Sequence, residues 1–339
     1  METTWFCLVA LMLAMYVVLD GFDLGAGVAH LLIAQTDEEK RAVLRSIGPV
    51  WDGNEVWLLA SGGTLYFAFP ALYASSFSGF YLPLMIVLWL LILRGIAIEF
   101  RNHVESLVWH PLWDAVFAGS SALLAIFFGA ALGNVVRGVP LDRAGEFFLP
   151  LWTDFRAGPE AGILDWFTVL VAVAALLTLT VHGALWLALK NRGALHKRAR
   201  ALASVGWWAV LAVVIAITLV SFRVQPHLRQ SFAARPWIYV FPGCALAGLV
   251  GMKAMNAAGR SMEAFLASCL FILGMLTSVA AGLYPYVLPS STDPALSLSI
   301  YNAAAARYGL EVGLIWFIPG MLLTTAYFVY TYRSFAGKV

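Results

Sequence analysis

The sequence predicts an all-α, polytopic integral membrane protein with nine transmembrane helices. Of its 339 residues, 61% are hydrophobic and only 12% are charged, whereas a soluble domain carries about 25% charged residues. Many apolar stretches reach about 20 residues, the length of helix that spans the hydrocarbon core of a bilayer. Open strands are excluded at that depth, because lipid cannot satisfy their backbone hydrogen bonds.

We assign the whole chain, 1–339, to one integral membrane domain and expect two four-helix groups plus one extra helix. The second span is the least apolar. We keep it because Trp51 and Trp57 at one end, and Tyr66 and Phe69 at the other, suit interfacial and packed positions. The nine predicted spans are 5–34, 49–69, 72–94, 113–136, 161–189, 201–222, 237–258, 262–284 and 309–332.

The basic residues predict the orientation of the chain. With nine spans, the loops on the side of the N-terminus carry seven of the 21 Lys and Arg residues, and the other side carries fourteen, including KNRGALHKRAR at 190–200. Since basic loops stay in the cytoplasm, we expect the N-terminus outside and the C-terminus inside. A net charge of +2 with scattered basic residues argues against nucleic acid as a partner.

Two acidic residues interrupt the first span, within VVLDGFDLGAG at 17–27. Asp20 and Asp23 are one helical turn apart and therefore share a face. If the span begins at Trp5, Asp20 lies about 22 Å along it. Both carboxylates are thus expected in the inner half of the membrane.

The same turns of the first span carry small residues. Gly21 and Gly25 form a GxxxG motif, and Gly27 follows just beyond it. Such a stripe lets a neighbouring helix backbone approach closely. We therefore expect this face to be a helix–helix interface and not a surface exposed to lipid.

The second and third spans add charge at the same depth. The second begins with VWDGNEVW, which places Asn54 beside two further acids at i, i+3 spacing, and the third is expected to end at an arginine. Consecutive spans with short connections are commonly neighbours, and intramembrane charges pair with one another. The predicted cluster comprises Asp20, Asp23, Asp52, Glu55 and Arg94.

From the residues alone, this cluster has three interpretations. It could relay protons from the cytoplasm, bind the coupling ion of a proton- or cation-coupled secondary transporter, or be a structural Arg–Asp network. His30 and His182 lie near the inner ends of their spans, and a pair of axial haem ligands could occupy such positions. No metal-ligand spacing accompanies them, so we favour core or interface roles and expect no metal site.

Five motifs follow one another along essentially the whole chain: LDGFDLGAG in the first span, WDGNEVWL in the second, SGFY at 78–81, FGAALGNVVRGVP at 128–140 and YPYVLPSST at 284–292. Together they closely resemble subunit II of the cytochrome bd-type quinol oxidases, including the cyanide-insensitive variants. The resemblance implies a respiratory-chain complex of the bacterial cytoplasmic (inner) membrane that oxidises quinol and reduces dioxygen to water.

The resemblance also implies the partners and cofactors. Within the membrane lipid, the chain would bind a haem-bearing subunit I and, in some members, small single-span subunits. Two haems b and one haem d are ligated by subunit I in this family, so this chain is expected to ligate none and to have no catalytic residue or redox chemistry of its own. A structural quinone occurs in this subunit in some members.

The resemblance further assigns roles to residues. The functionally sensitive acids of the family fall on Asp23 and Asp52, its arginine falls on Arg94, and a tryptophan that flanks an oxygen route in some members falls on Trp57. Reduction of dioxygen consumes protons, and an oxidase that does not pump conserves energy only by taking them from the cytoplasm.

We therefore expect a proton path in this subunit. Asp52 would receive the proton first, Asp20 and Asp23 would pass it on, and Glu55 is an additional candidate. Arg94 would be their electrostatic partner and would hold the helices together.

Overall fold

The computed structural model describes residues 1–159 and 161–339 and shows an all-α bundle with one small antiparallel sheet. Its helices are α1 (Glu2–Ile33), α2 (Asp37–Ile47), α3 (Trp51–Ala68), α4 (Pro70–Gly79), α5 (Tyr81–Phe100), α6 (Trp109–Arg137), α7 (Trp166–Lys190), α8 (Gly193–Val224), α9 (His227–Ala234), α10 (Val240–Ala257), α11 (Ser261–Leu283) and α12 (Arg307–Ser334). Two short 3₁₀ helices, Pro236–Tyr239 and Pro294–Leu296, and the strands β1 (Tyr286–Leu288) and β2 (Leu298–Ser299) complete the fold.

Eight of these helices are long and apolar enough to cross a membrane: α1, α5, α6, α7, α8, α10 with the 3₁₀ turn before it, α11 and α12. The prediction of an all-α polytopic membrane protein is therefore confirmed. The second predicted span forms α3 but is not among the eight. Its first turns carry Asp52, Asn54 and Glu55, which lower its hydropathy.

The third predicted span is divided in the structure. We expected one helix over 72–94, but α4 and α5 are separate helices that meet at Phe80, whose φ of −100° and ψ of 23° are not helical. Pro83 lies in the first turn of α5, where a missing backbone N–H is tolerated. Because α5 continues to Phe100, Arg94 lies inside this helix and not at its end.

Two other helices begin at positions that an apolar pattern does not mark. Helix α7 begins at Trp166 instead of 161, because Asp165 caps it by accepting hydrogen bonds from the backbone N–H groups of Phe167 (2.7 Å) and Thr168 (3.1 Å). Helix α8 begins at Gly193 instead of 201, since its basic first turns continue the helix beyond the apolar stretch.

Helix α1 lies at the centre of the bundle and packs against α3, α6, α7 and α11. A Cβ atom added to Gly25 would lie 1.8 Å from the carbonyl oxygen of Leu179 and 2.7 Å from the amide nitrogen of Gly183, both in α7. A Cβ atom on Gly27 would lie 2.1 Å from the hydroxyl oxygen of Ser121 in α6. The close helix approach predicted from the glycine motif is confirmed.

The two ends of the bundle differ in structure. At the end where α1 begins, here called the loop end, Val139 after α6 pairs with the segment after α11. Its N–H donates to the carbonyl oxygen of Pro289 (3.0 Å) and its carbonyl oxygen accepts from Ser291 (2.9 Å). At the opposite end, here called the α2 end, α2 packs against α1 and α7, and its Lys40 reaches Asp114 in the second turn of α6.

Candidate functional site

Arg94 is at the centre of the candidate site. This guanidinium is fully buried in α5, and its Nη2 donates to Asp20 Oδ1 at 2.6 Å and to Glu55 Oε2 at 2.9 Å. The Asp20 side chain is also fully buried, whereas that of Glu55 is 24% exposed. One cation thus joins α1, α3 and α5, as the sequence predicts, and pairing offsets the cost of burying these charges.

Asp23 is held by a different residue of α3. Asn54 Nδ2 donates to Asp23 Oδ2 at 2.8 Å and to the carbonyl oxygen of Leu19 at 3.2 Å. In turn, Asn54 Oδ1 accepts a hydrogen bond of 2.9 Å from the hydroxyl of Tyr332 in α12. Tyr332 is absent from the predicted site, because nothing in its aromatic surroundings signals that the hydroxyl reaches a buried amide.

Several buried polar atoms of this cluster have no hydrogen-bond partner in the part of the chain that the structure describes: Tyr16 Oη, Asp20 Oδ2, Asp23 Oδ1, and Arg94 Nε and Nη1. Buried polar groups are nearly always hydrogen-bonded, to protein or to ordered water. Carboxylate oxygens with unused lone pairs can accept a proton and release it again.

Asp52 lies at the surface and not inside the cluster. It is exposed in the first turn of α3, one turn before Glu55. Its Oδ1 accepts a 2.7 Å hydrogen bond from the backbone N–H of Gly53, as suits an acid at a helix N-terminus. The structure therefore places Asp52 beside the cluster, at the surface of this chain, and not in contact with Arg94.

Trp57 packs one turn beyond Asn54. It is buried with Met12 and Tyr16 of α1, and its ring meets that of Phe328 in α12 edge to face at 5.7 Å between centroids. The indole therefore separates the acidic cluster from the part of the bundle nearer the loop end.

A second charged network, which is not among the sites predicted from the sequence, lies at the α2 end. Asp114 of α6 is buried and has three neighbours that can donate hydrogen bonds: its carboxylate lies 2.7 Å from His30 Nε2, 2.9 Å from Lys40 Nζ and 2.5 Å from Arg101 Nε. Arg101 also donates to Asp37 Oδ1 at 2.7 Å. Asp114 interrupts an apolar stretch and could have been noticed, but Arg101 and Lys40 fall in predicted loops, where nothing in the sequence signals this role.

Helix α2 is anchored to the bundle by its acidic first turn. Thr36 and Glu39 form a capping box, with the Glu39 N–H donating to Thr36 Oγ1 at 3.2 Å. The pKa of Asp37 lies below its ordinary value. Partial burial raises this pKa, but the hydrogen bond from Arg101 and the positive charges of Arg101 and Arg41 lower it more. Asp37 therefore stays ionised at neutral pH and keeps Arg101 in place.

His182 has the packing role that the sequence favours. It is fully buried in α7, with Nδ1 2.7 Å from Ser268 Oγ and Nε2 2.9 Å from the carbonyl oxygen of Val18. Both ring nitrogens are thus occupied by neighbouring helices. Across residues 1–159 and 161–339, no group of three or more His, Cys, Asp or Glu side chains is arranged to hold a metal ion.

The link from α12 to the cluster can be tested with Tyr332→Phe. This change removes only the hydroxyl that bonds to Asn54, and we expect a loss of about 1 kcal/mol in stability. The measurement is the thermal denaturation midpoint of the purified protein in detergent. Tyr330→Phe, at a position 72% exposed on the same helix, is the matched control. Equal midpoints for the two variants would contradict a role for this hydrogen bond.

Comparison with known proteins gives one consistent result. The family described as "Cytochrome bd terminal oxidase subunit II" matches residues 1–335. The probable cytochrome oxidase subunit 2 of Haemophilus influenzae is 31% identical, over 99% of this chain and 94% of the relative. The cytochrome bd-I ubiquinol oxidase subunit 2 of Escherichia coli is 30% identical, over 95% and 92%. A structure of bd oxidase from Geobacillus thermodenitrificans shares the fold, with a TM-score of 0.75 at 19% identity and 98% of each chain covered.

Proposed function

Since the chain belongs to the cytochrome bd terminal oxidase subunit II family, we propose that it supplies cytoplasmic protons for the reduction of dioxygen. The chain is a component of a quinol oxidase, an oxidoreductase of the bacterial inner membrane, and works with a partner subunit I. The observation that carries the proposal is the buried cluster around Arg94, whose acids keep unused oxygen lone pairs. A secondary transporter is not favoured, because the family is that of an oxidase subunit.

The proposed path runs from the surface of α3 into the bundle. Asp52, exposed at the start of α3, receives the proton from water. Glu55 lies one turn further and is partly exposed, so it connects the surface to the buried acids. Asp20 and Asp23 receive the proton in the interior, while Arg94 offsets the negative charge that they carry.

The proposed topology places the α2 end in the cytoplasm. The basic segment at 190–200, which comprises the last residue of α7, the turn at 191–192 and the first turns of α8, lies at this end, and basic segments beside a span remain on the cytoplasmic side. We assign the ninth span to α3, whose 18 residues extend about 27 Å at 1.5 Å per residue. The N-terminus is then outside and the C-terminus inside, and the chain is one domain of two four-helix groups plus one helix.

The proposal leaves the redox chemistry to the partner. Haem belongs to the complex, and we propose that subunit I ligates both haems b and the haem d, while this chain ligates none and carries at most a structural quinone. Small single-span subunits complete the complex. Trp57, buried between α1 and α12, is the proposed wall of an oxygen route.

Asp52→Asn tests the proton path. We expect oxygen consumption by the whole complex to fall about twofold, because the amide cannot carry the proton, while the reduced-minus-oxidised haem spectrum stays normal. Glu38→Gln, an exposed acid of α2 at the same end of the bundle, is the matched control.

Two results would contradict this assignment. An Asp52→Asn complex with normal haem and wild-type oxygen consumption would exclude Asp52 from the path. A complex that loses its haems would assign Asp52 a structural role.

A further inference from the structure

His30 is buried in a network that fixes its ring. The side chain is fully buried in α1, with Nε2 2.7 Å from Asp114 Oδ1. Lys40 and Arg101 supply further donors to the same carboxylate, which therefore stays anionic and accepts a hydrogen bond from His30 Nε2–H. In the neutral ring, the lone pair then belongs to Nδ1.

Nδ1 of His30 is a buried base without a hydrogen-bond partner among the described residues. His182 is a buried histidine that differs from His30 in this respect, because both of its ring nitrogens are hydrogen-bonded to neighbouring helices. A second buried atom in the same situation is Ser121 Oγ of α6. Unsatisfied polar atoms of this kind are uncommon in folded proteins and call for a specific explanation.

These groups lie on the face of α1 that leads to the acidic cluster. His30 follows Asp23 by seven residues, two helical turns, so the two side chains project from one face of α1 about 10 Å apart along its axis. On α6, Ser121 follows Asp114 by the same interval. Gly27 lies between Asp23 and His30 in α1 and contacts Ser121. The Ser121 hydroxyl therefore lies between His30 and Asp23 along the axis of α1.

We propose that His30 is a second proton-carrying group, on a branch that reaches Asp23 from the α2 end of the bundle. The proposal rests on the proton-supply function of the cluster. A proton from the cytoplasm binds to the Nδ1 lone pair, and Asp114 stabilises the resulting imidazolium. The proton then leaves from Nδ1, through the Ser121 hydroxyl and bridging water, to a carboxylate oxygen of Asp23.

The other residues of the network act through His30. The Nε2–H bond to Asp114 persists through the cycle, and the ring returns to its neutral form without any other bond changing. Arg101 and Lys40 are positioning residues, since they hold Asp114 where it orients the ring. The arrangement is that of a carboxylate–imidazole pair, in which the acid sets the tautomer and stabilises the cation.

The test measures proton uptake by the whole oxidase complex during a single turnover with dioxygen, using a pH-sensitive dye. We expect His30→Gln and Ser121→Ala each to slow uptake about twofold, because the Asp52 route remains open, with unchanged haem spectra. Ser120→Ala is the matched control, because the neighbouring hydroxyl is also buried but bonds at 2.7 Å to the carbonyl oxygen of Val116 in its own helix. It should take up protons at the wild-type rate.

The outcomes separate this branch from the function on which it rests. Wild-type uptake in His30→Gln and Ser121→Ala, with normal haem, overturns the branch if Asp52→Asn is slow in the same assay. If Asp52→Asn is also at the wild-type rate, the proton-supply function fails together with the branch. Should His30→Gln not assemble, Ser121→Ala decides alone, since it removes only one hydroxyl. Equal slowing by Ser120→Ala would also overturn the branch.

Discussion

Replacing Gly25 with alanine is expected to prevent the bundle from assembling. The added Cβ atom would lie 1.8 Å from the carbonyl oxygen of Leu179 and 2.7 Å from the amide nitrogen of Gly183. These are backbone atoms of α7, so no side-chain rotation relieves the overlap, and separating α1 from α7 would expose the core between them. We expect a cost of more than about 3 kcal/mol, measured as the yield of haem-containing complex from membranes.

Gly62→Ala is the matched control for this prediction. Gly62 is also a helical glycine, in α3, but a Cβ atom there has no neighbour within 4 Å among the residues that the structure describes. Alanine also favours a helix by about 1 kcal/mol over glycine, so this variant should accumulate normally. If Gly25→Ala accumulates as well as Gly62→Ala, the close approach of α1 and α7 is not required for assembly.

Arg94→Met is expected to destabilise the protein by about 3–5 kcal/mol, the usual cost of removing one partner of a buried ion pair. Asp20 is fully buried, and its one hydrogen bond within the described structure comes from Arg94. Glu55 is partly exposed and can rotate towards solvent. The destabilisation therefore comes mainly from Asp20, which would stay buried without a partner. The measurement is the thermal denaturation midpoint in detergent, together with haem content.

A second substitution separates lost pairing from lost packing. Arg94→Met combined with Asp20→Leu removes both charges and leaves apolar groups, an exchange that is often neutral, so the midpoint should recover in part. Arg192→Met, at an exposed arginine, should leave the midpoint unchanged. A double variant less stable than Arg94→Met would show that the ion pair does not account for the loss.

The residues of the cluster around Arg94 could be predicted because a charged side chain within a membrane span is costly unless it is paired. Asp20 and Arg94 occur in apolar stretches, and charges there must face the protein interior and find partners. The same reasoning holds for Gly25, since a stripe of small residues in a span indicates a close helix approach. Both signals are local in the sequence, and both correspond to contacts in the structure.

Other parts of the site depend on long-range packing that leaves no local pattern. Tyr332 meets Asn54 from almost the other end of the chain, and two partners of Asp114, Lys40 and Arg101, come from segments that the sequence predicts to be loops. The break at Phe80, by contrast, has a local signal, since Ser78 and Gly79 precede it and Pro83 follows it, but the long apolar stretch after Gly79 outweighs that signal. Asp52 and Glu55 share a helix turn, yet their degree of burial differs, and spacing alone does not determine which of them reaches Arg94.

The depth of Asp20 in α1 has an electrical consequence. Asp20 lies thirteen residues before the end of α1 at Ile33, about 20 Å along the axis, in a membrane whose hydrocarbon core is about 30 Å thick. On the proposed route, a proton that reaches this depth has moved through part of the membrane voltage, and a full crossing is worth about 2.3 kcal/mol per 100 mV. Loading the cluster therefore charges the membrane, and the voltage generated by respiration opposes the same step.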